Sequence, residues 1–397
     1  MTPFEWNILV SSFVLTALFG SLVGGTIADI IGRRNTVFFS NVFFMVGTLL
    51  KIIFSNYYVF VLGRVIHGFG VGLISVVIPI YLSEISPPKW RGIITTLHTL
   101  SITFAIVVCQ SLGIVLSFRP GWRILLSISL FVSIAQLFCL PYCPRSPKWL
   151  FKKGKFQETE LSLINLRGTK DVKKELEELE ESFKQKEGGK GFWKTLCTFK
   201  MIKTLMIGMG LHITQQLAGI NAVFFYSTPI FQSTGIQNAA LMTAVVGLVN
   251  FLSTVASLFV IERLGRKILL LASEIFSFIC FTVLTVSFIL AYYKIAPEVM
   301  NVFTAISIIL YVIGFAFGLG SIPWTMTGEL FPSEVRGVLS SVCAAVNWTG
   351  TFLVGVSFDS LNQLIQPFTF LPFTVSLAIS IILGIIFVPE TKGRKID

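Results

Sequence analysis

Residues 81–92, YLSEISPPKWRG, recur in altered form as residues 326–337, MTGELFPSEVRG. Glu84 falls over Glu329, Pro87 over Pro332, Arg91 over Arg336 and Gly92 over Gly337, each at an offset of 245 residues. Pro144 and Pro389 keep the same offset. A second echo, ADIIGRRN at 28–35 against IERLGRKI at 261–268, runs at an offset of 233. Two similar segments in the same order mark an internal repeat of parallel sense.

What is repeated becomes clear from the sequence around these motifs. The chain is 54% hydrophobic and only 13% charged, with a mean hydropathy of +0.80; a soluble domain carries about 25% charge. Apolar runs lie at about 6–30, 36–55, 59–82, 92–117, 122–143, 202–232, 239–261, 268–292, 300–324, 337–358 and 367–388. A helix of about 20 residues crosses roughly 30 Å of hydrocarbon, so the reading is an all-α polytopic membrane protein with eleven spans. Basic residues gather at Arg33 and Arg34, at Arg263, Arg266 and Lys267, through 144–200, and at Lys392, Arg394 and Lys395. Lys and Arg concentrate on the cytoplasmic side of membrane proteins, so the 144–200 loop and the C-terminus are expected inside and the N-terminus outside. The net charge of +11 is therefore topological and not a nucleic-acid footprint.

The expected organisation is an N-terminal bundle of five spans (1–143), a cytoplasmic linker with short amphipathic helices (144–200), a C-terminal bundle of six spans (201–390) and a short tail (391–397). Parallel repeats of this kind build transporters. GRR follows the first span here, whereas its partner GRK follows the second span of its half; the reading is that one helix is missing from the start. The six cysteines show no CxxC pair and are read as small packing residues. His67, His98 and His212 have no ligand spacing and are read as packing or weakly polar lining groups. No metal, cofactor, nucleophile elbow or P-loop is expected, and no enzymatic activity.

Three constellations carry chemistry. Asp29, Gly32, Arg33 and Arg34, echoed by Glu262, Gly265, Arg266 and Lys267, read as tight turns between spans in which glycine accepts a positive φ. Together with Glu84, Arg91, Glu329 and Arg336, these charges read as pairs that form when the cytoplasmic tips of the bundles come together and break when they part. Arg64 lies early in a span, where an ionisable residue is costly and by default functional, and no acidic partner stands at comparable depth in the neighbouring spans. Finally Gln215, Gln216, Asn221, Asn250, Trp324 and Asn347 place amides and an indole at membrane depth. Gly219 between the glutamines and Asn221 can break the helix and turn all three amides to one cavity. Amides both donate and accept, and an indole offers a flat face to C–H surfaces. That set suits a neutral, polyhydroxylated solute better than an ion; the alternative is that the amides only join helices.

GRVIHGFGVG, YLSEISPPKWRG, QQLAGINAVFFYST, NFLSTVASLFVIERLGRK, SIPWTMTGELFPSEVRG, NWTG and PETKGR together resemble the sugar porter branch of the major facilitator superfamily, which includes the facilitative glucose transporters. The resemblance covers about residues 6–394. It implies two six-helix bundles around a central sugar site and alternating access. Gln215, Gln216, Asn221, Asn250, Trp324 and Asn347 would contact the sugar, Phe225 and Tyr226 would close the outer side, and Glu84, Arg91, Glu329 and Arg336 would belong to the cytoplasmic gate with Glu390 of PETKGR. Four departures stand out: the absent first helix, Thr99 in place of a glutamine, Ala316 in place of a glutamate, and Arg145 in place of the glutamate that Glu390 retains in the second half. The implied function is transport of a glucose-like hexose, by uniport or by proton symport with Arg64 in coupling. The alternatives are a sugar sensor on the same fold or a truncated, inactive relative. The expected partners are a hexose, the lipid bilayer and, in the symport case, protons, and the expected location is the plasma membrane.

Overall fold

The computed structural model describes residues 3–187 and 198–391, apart from residues 88, 89, 119, 234, 333 and 334. Five long helices form the first half: α1 (Pro3–Ile31), α2 (Arg33–Ile53), α3 (Tyr57–Ile85), α4 (Arg91–Val115) and α5 (Gly121–Cys139). Three shorter ones follow, α6 (Pro147–Lys152), α7 (Phe156–Arg167) and α8 (Lys173–Glu187), as the charge pattern of the linker predicts. The second half holds α9 (Phe199–Leu217), α10 (Ile220–Ser233), α11 (Ala239–Leu264), α12 (Arg266–Tyr292), α13 (Pro297–Phe317), α14 (Ile322–Leu330), α15 (Arg336–Ile365) and α16 (Leu371–Phe387). Among the described residues, nine helical stretches are long and apolar enough to cross a membrane, α13 and α14 counting together. α16 is apolar but shorter, and α9 and α10 divide one apolar run between them.

Local chemistry sets the helix boundaries. Gly32 and Gly265 stand at φ of 92° and 90°, a conformation in which an L side chain is strained, and each starts a new helix after one residue of turn. The Asn56 side chain caps α3 by accepting from the backbone N–H groups of Tyr58 and Val59, and the Ser146 hydroxyl caps α6 at Trp149.

α1 packs on α3, α3 on α2 and α2 on α5; in the second half α12 packs on α13 and α16, and α9 on α15. The halves meet where α1 lies along α15 and α4 along α11. Close approach of α1 and α3 depends on Gly68 and Gly72, where an added Cβ would come within 2.3 Å of the Phe13 carbonyl oxygen and 2.1 Å of that of Ala17. The second half has an aromatic core in which Phe281 meets Tyr311 edge to face at 4.4 Å, with Phe370 and Phe373 beside it. Cys280 and Cys343 are packed as expected, but Cys109 and Cys139 lie exposed on helix surfaces and contribute no core.

Candidate functional site

The apolar run over 202–232 is broken where Gly219 allows it, at φ 88°. A break frees backbone carbonyls that hydrocarbon cannot satisfy, and two hydroxyls take them. Ser376 on α16 donates to the Leu217 carbonyl at 2.5 Å, and Tyr311 on α13 donates to that of Ala218 at 2.8 Å. A second break, at 318–321 between α13 and α14, falls inside a run the sequence reads as one continuous span.

The breaks bring four of the six expected sugar-contacting residues into one network. Asn347 on α15 is its centre. Its Nδ2 donates to Gln215 Oε1 at 2.7 Å and to His212 Nδ1 at 3.0 Å, and its Oδ1 accepts from Gln216 Nε2 at 3.0 Å. Asn221 Nδ2 donates to Gln216 Oε1 and, at 3.4 Å, to Thr351 Oγ1. Gln215 Nε2 spends both hydrogens on the carbonyls of Leu319 and Gly320, at 2.6 and 3.0 Å, across the second break. Thr327 Oγ1 donates to the Pro323 carbonyl at 2.6 Å, so it accepts from His212 Nε2 at 3.0 Å. That fixes the imidazole as the neutral Nε2–H tautomer with Nδ1 accepting. Asn221 Oδ1 and one Gln216 N–H remain to accept from and donate to a ligand.

Trp324 does not join this network by hydrogen bonding; its indole stands edge-on to His212 at 4.7 Å. Asn250 is buried on α11, and no hydrogen bond among the described residues links it to the other five. His212, read from the sequence as a packing or weakly polar lining group, lines the cavity at Trp324 and is also integral to the network. The available signal was its position three residues before Gln215, on the same face of α9.

One cavity borders the network at His212 and Thr327, and a second lies at the far end of the molecule. Toward the end of the molecule that carries Glu84 and Glu329, hereafter the gate end, a space of about 70 Å³ is lined by Ser75, His98, Thr99, His212, Trp324 and Thr327 and reaches Glu329, Arg336 and Lys148. At the far end a cavity of about 540 Å³ is lined by Ser11, Phe225, Tyr226, Phe358, Asp359 and Asn362, among others. Small-molecule pockets occupy roughly 300–1,000 Å³; the far cavity is of that size, and its lining includes none of the network's amides. Tyr226 donates from its hydroxyl to the Gly355 carbonyl at 3.1 Å and stacks on Phe358 at 4.5 Å, while Phe225 is 44% exposed. At the gate end the halves touch: the Gly25 N–H lies 3.1 Å from Ser341 Oγ, and a Cβ on Gly25 would come within 2.2 Å of the Gly337 carbonyl oxygen.

The charged motifs form two matching networks, each within its own half. Arg33 holds Glu84 through two nitrogens, at 2.9 and 3.0 Å, and Ser146 Oγ donates to the same carboxylate at 2.6 Å. Arg266 holds Glu329 at 3.0 Å, and Thr391 Oγ1 donates to it at 2.6 Å. Ser146 and Thr391 stand at the 245-residue offset of the repeat and were not singled out from the sequence. Asp29 pairs with Arg33 at 2.8 Å and Lys152 at 3.3 Å, Arg34 donates to the carbonyls of Pro141 and Cys143, and Arg336 Nε donates to that of Phe331. Glu390 accepts from the backbone N–H groups of Arg266 and Lys267 at the start of α12. Its counterpart Arg145 instead reaches Glu158 on α7 at 3.0 Å. The side chains of Arg91 and Glu262 lie outside the described residues. Arg64 rests over the Phe13 ring, 5.4 Å from its centre.

Duplicated helical halves, charge knots at one end and a buried amide site between broken helices define a membrane carrier. The chain belongs to the family described as "Sugar (and other) transporter", which it matches over residues 2–397. It is 38% identical over 393 residues to the facilitated trehalose transporter Tret1 of Apis mellifera ligustica, covering 96% of this chain and 76% of that one. It is 34% identical over 402 residues to solute carrier family 2, facilitated glucose transporter member 2, of Gallus gallus, covering 99% of this chain and 74% of that one. Among solved structures it is similar to the major facilitator superfamily proton:xylose symporter XylE bound to 6-bromo-6-deoxy-D-glucose, at a TM-score of 0.85 and 25% identity, over 99% of this chain and 88% of that one. The chain is thus a sugar transporter of the major facilitator superfamily and not an enzyme.

Proposed function

We propose that this transporter moves a glucose-like hexose across the plasma membrane by alternating access, as a uniporter or a proton symporter. The observation that carries the reading is the amide network centred on Asn347, with an acceptor on Asn221 and a donor on Gln216 left for adjacent sugar hydroxyls. The His212–Trp324 pair supplies an edge and a face beside it. Phe225 and Tyr226 form the outer gate, and the Arg33–Glu84 and Arg266–Glu329 pairs, with Asp29, Arg34, Arg91, Glu262, Arg336 and Glu390, belong to the cytoplasmic gate. The gate end faces the cytoplasm, the chain crosses the membrane eleven times, and the wide far cavity supports reading this as the outward-facing state. The test is uptake of labelled hexoses, trehalose and xylose by this chain in transport-deficient cells, with and without an imposed proton gradient. Saturable hexose uptake is expected; uptake of a disaccharide or pentose alone, or of none, overturns the reading. Dependence on the gradient distinguishes symport from uniport.

A further inference from the structure

α12 supplies none of the expected sugar contacts, yet one of its side chains reaches the break that orients them. Ser273 is buried, and its Oγ donates to the Gly314 carbonyl at 2.7 Å while accepting the Leu319 N–H at 3.0 Å. A single hydroxyl thereby bridges the last turn of α13 and the loop before α14. Gly318 makes this approach possible, since a Cβ there would lie 2.4 Å from Ser273 Cβ and 2.7 Å from the Leu269 carbonyl oxygen. Ser273 and Gln215 hold the same residue through successive peptides, on either side of the Leu319 Cα. The Leu319 N–H is on Ser273, and its carbonyl accepts from Gln215 Nε2 at 2.6 Å.

We propose that Ser273 is a positioning residue of the sugar site, setting the backbone at Leu319 and through it Gln215 and Asn347. This rests on the hexose-transport reading above. Loose backbone at a helix break has alternative orientations, and a residue whose N–H is held by a hydroxyl itself tied to the preceding helix has fewer directions in which to present its carbonyl. Without the hydroxyl, Leu319 turns, Gln215 loses its anchor, and the oxygen it offers Asn347 moves. Tyr311 serves the other break in the same way, but removing its ring would empty part of the aromatic core. Ser273→Ala removes one atom and is the cleaner probe.

The experiment combines Ser273→Ala, Gln215→Ala and the double variant in the full-length chain. One lost hydrogen bond is worth about a three- to tenfold change; Ser273→Ala is therefore expected to raise the half-saturating hexose concentration by about that factor, with maximal uptake within twofold and the folded state retained in detergent. The double variant is expected to be no worse than Gln215→Ala alone. Hydrogen–deuterium exchange over 314–321 is expected to quicken in Ser273→Ala while other segments keep their rates. An unchanged half-saturating concentration in the folded variant, or fully additive effects in the double variant, overturns the proposal. Should the wild-type chain take up no hexose, the transport reading falls by itself. The exchange measurement then decides for Ser273: local loss of protection upholds the positioning role, and unchanged exchange overturns it.

Discussion

Replacing Asn347 by alanine removes two donors and an acceptor at once, leaving His212 Nδ1, Gln215 Oε1 and Gln216 Nε2 without their shared partner. Each buried polar group left unmatched costs about 1–3 kcal/mol. Uptake efficiency at low hexose concentration is expected to fall by more than about thirtyfold, roughly 2 kcal/mol. Asn221→Ala, at the rim of the network, should cost about fivefold, on the order of 1 kcal/mol. Equal losses in the two variants would mean that the amides do not form one ordered network. At this scale the sequence announced residue types well, because amides in an apolar run have few uses. It could not announce partners: Gln215 meets Leu319 across 104 positions, and the serine holding the Leu319 N–H looks like any small residue in a span.

Among the elements, the two breaks differ in legibility. Gly219 between three amides is a visible interruption. The stretch GFAFGLGSIPW reads as continuous because glycine and alanine are ordinary in membrane helices, and its break is stabilised by the Ser273 hydroxyl and the Gln215 amide from other helices. Gly219→Ala puts a Cβ 2.9 Å from the Phe281 ring and 3.1 Å from that of Phe373, in a backbone conformation that L residues resist. A strained backbone residue of this kind costs about 1–3 kcal/mol, so a lowered melting temperature in detergent and weaker sugar binding are expected together. In the linker, the hydrogen bond from Lys155, with the charges of Lys155 and Arg145, holds the exposed Glu158 carboxyl below the usual carboxylate range. For a depressed carboxylate the stabilisation is present at neutral pH and is lost as pH falls through the depressed value. Protease cleavage of the linker should therefore rise only at distinctly acid pH, and Glu158→Gln should abolish that pH dependence; an unaltered profile would exclude the pair as an anchor of α7.

For the whole molecule, the matched knots make a prediction about symmetry. Arg33–Glu84–Ser146 and Arg266–Glu329–Thr391 stand at corresponding places in the two halves, so each half carries its own charge-locked turn. Glu329→Gln should weaken its knot by about 2 kcal/mol, the worth of a charged hydrogen bond, and Arg266→Ala/Glu329→Ala together should be no worse than the poorer single change. Maximal uptake is the measurement, with labelling of a Ser340→Cys variant from the cytoplasmic side as a second readout; fully additive losses would show that the two residues act separately. The repeat spacing made the fold and the existence of these knots legible. It read the charges as pairing where the two bundle tips meet, whereas the pairs Arg33–Glu84 and Arg266–Glu329 run within halves.

The amides of the site are satisfied by one another, with every donor pointing the same way from Asn221 through Gln216 and Asn347 to Gln215 and the Leu319 carbonyl. A site built that way is not short of partners when vacant. On the proposed reading a sugar meets the Asn221 acceptor and Gln216 donor that are left over, and any further contact is an exchange for a bond of similar strength, which keeps binding shallow. A carrier that moves its cargo down a gradient must also make the return journey unloaded. For the proposed uniport, an amide network with few unmet polar groups is suited to that return.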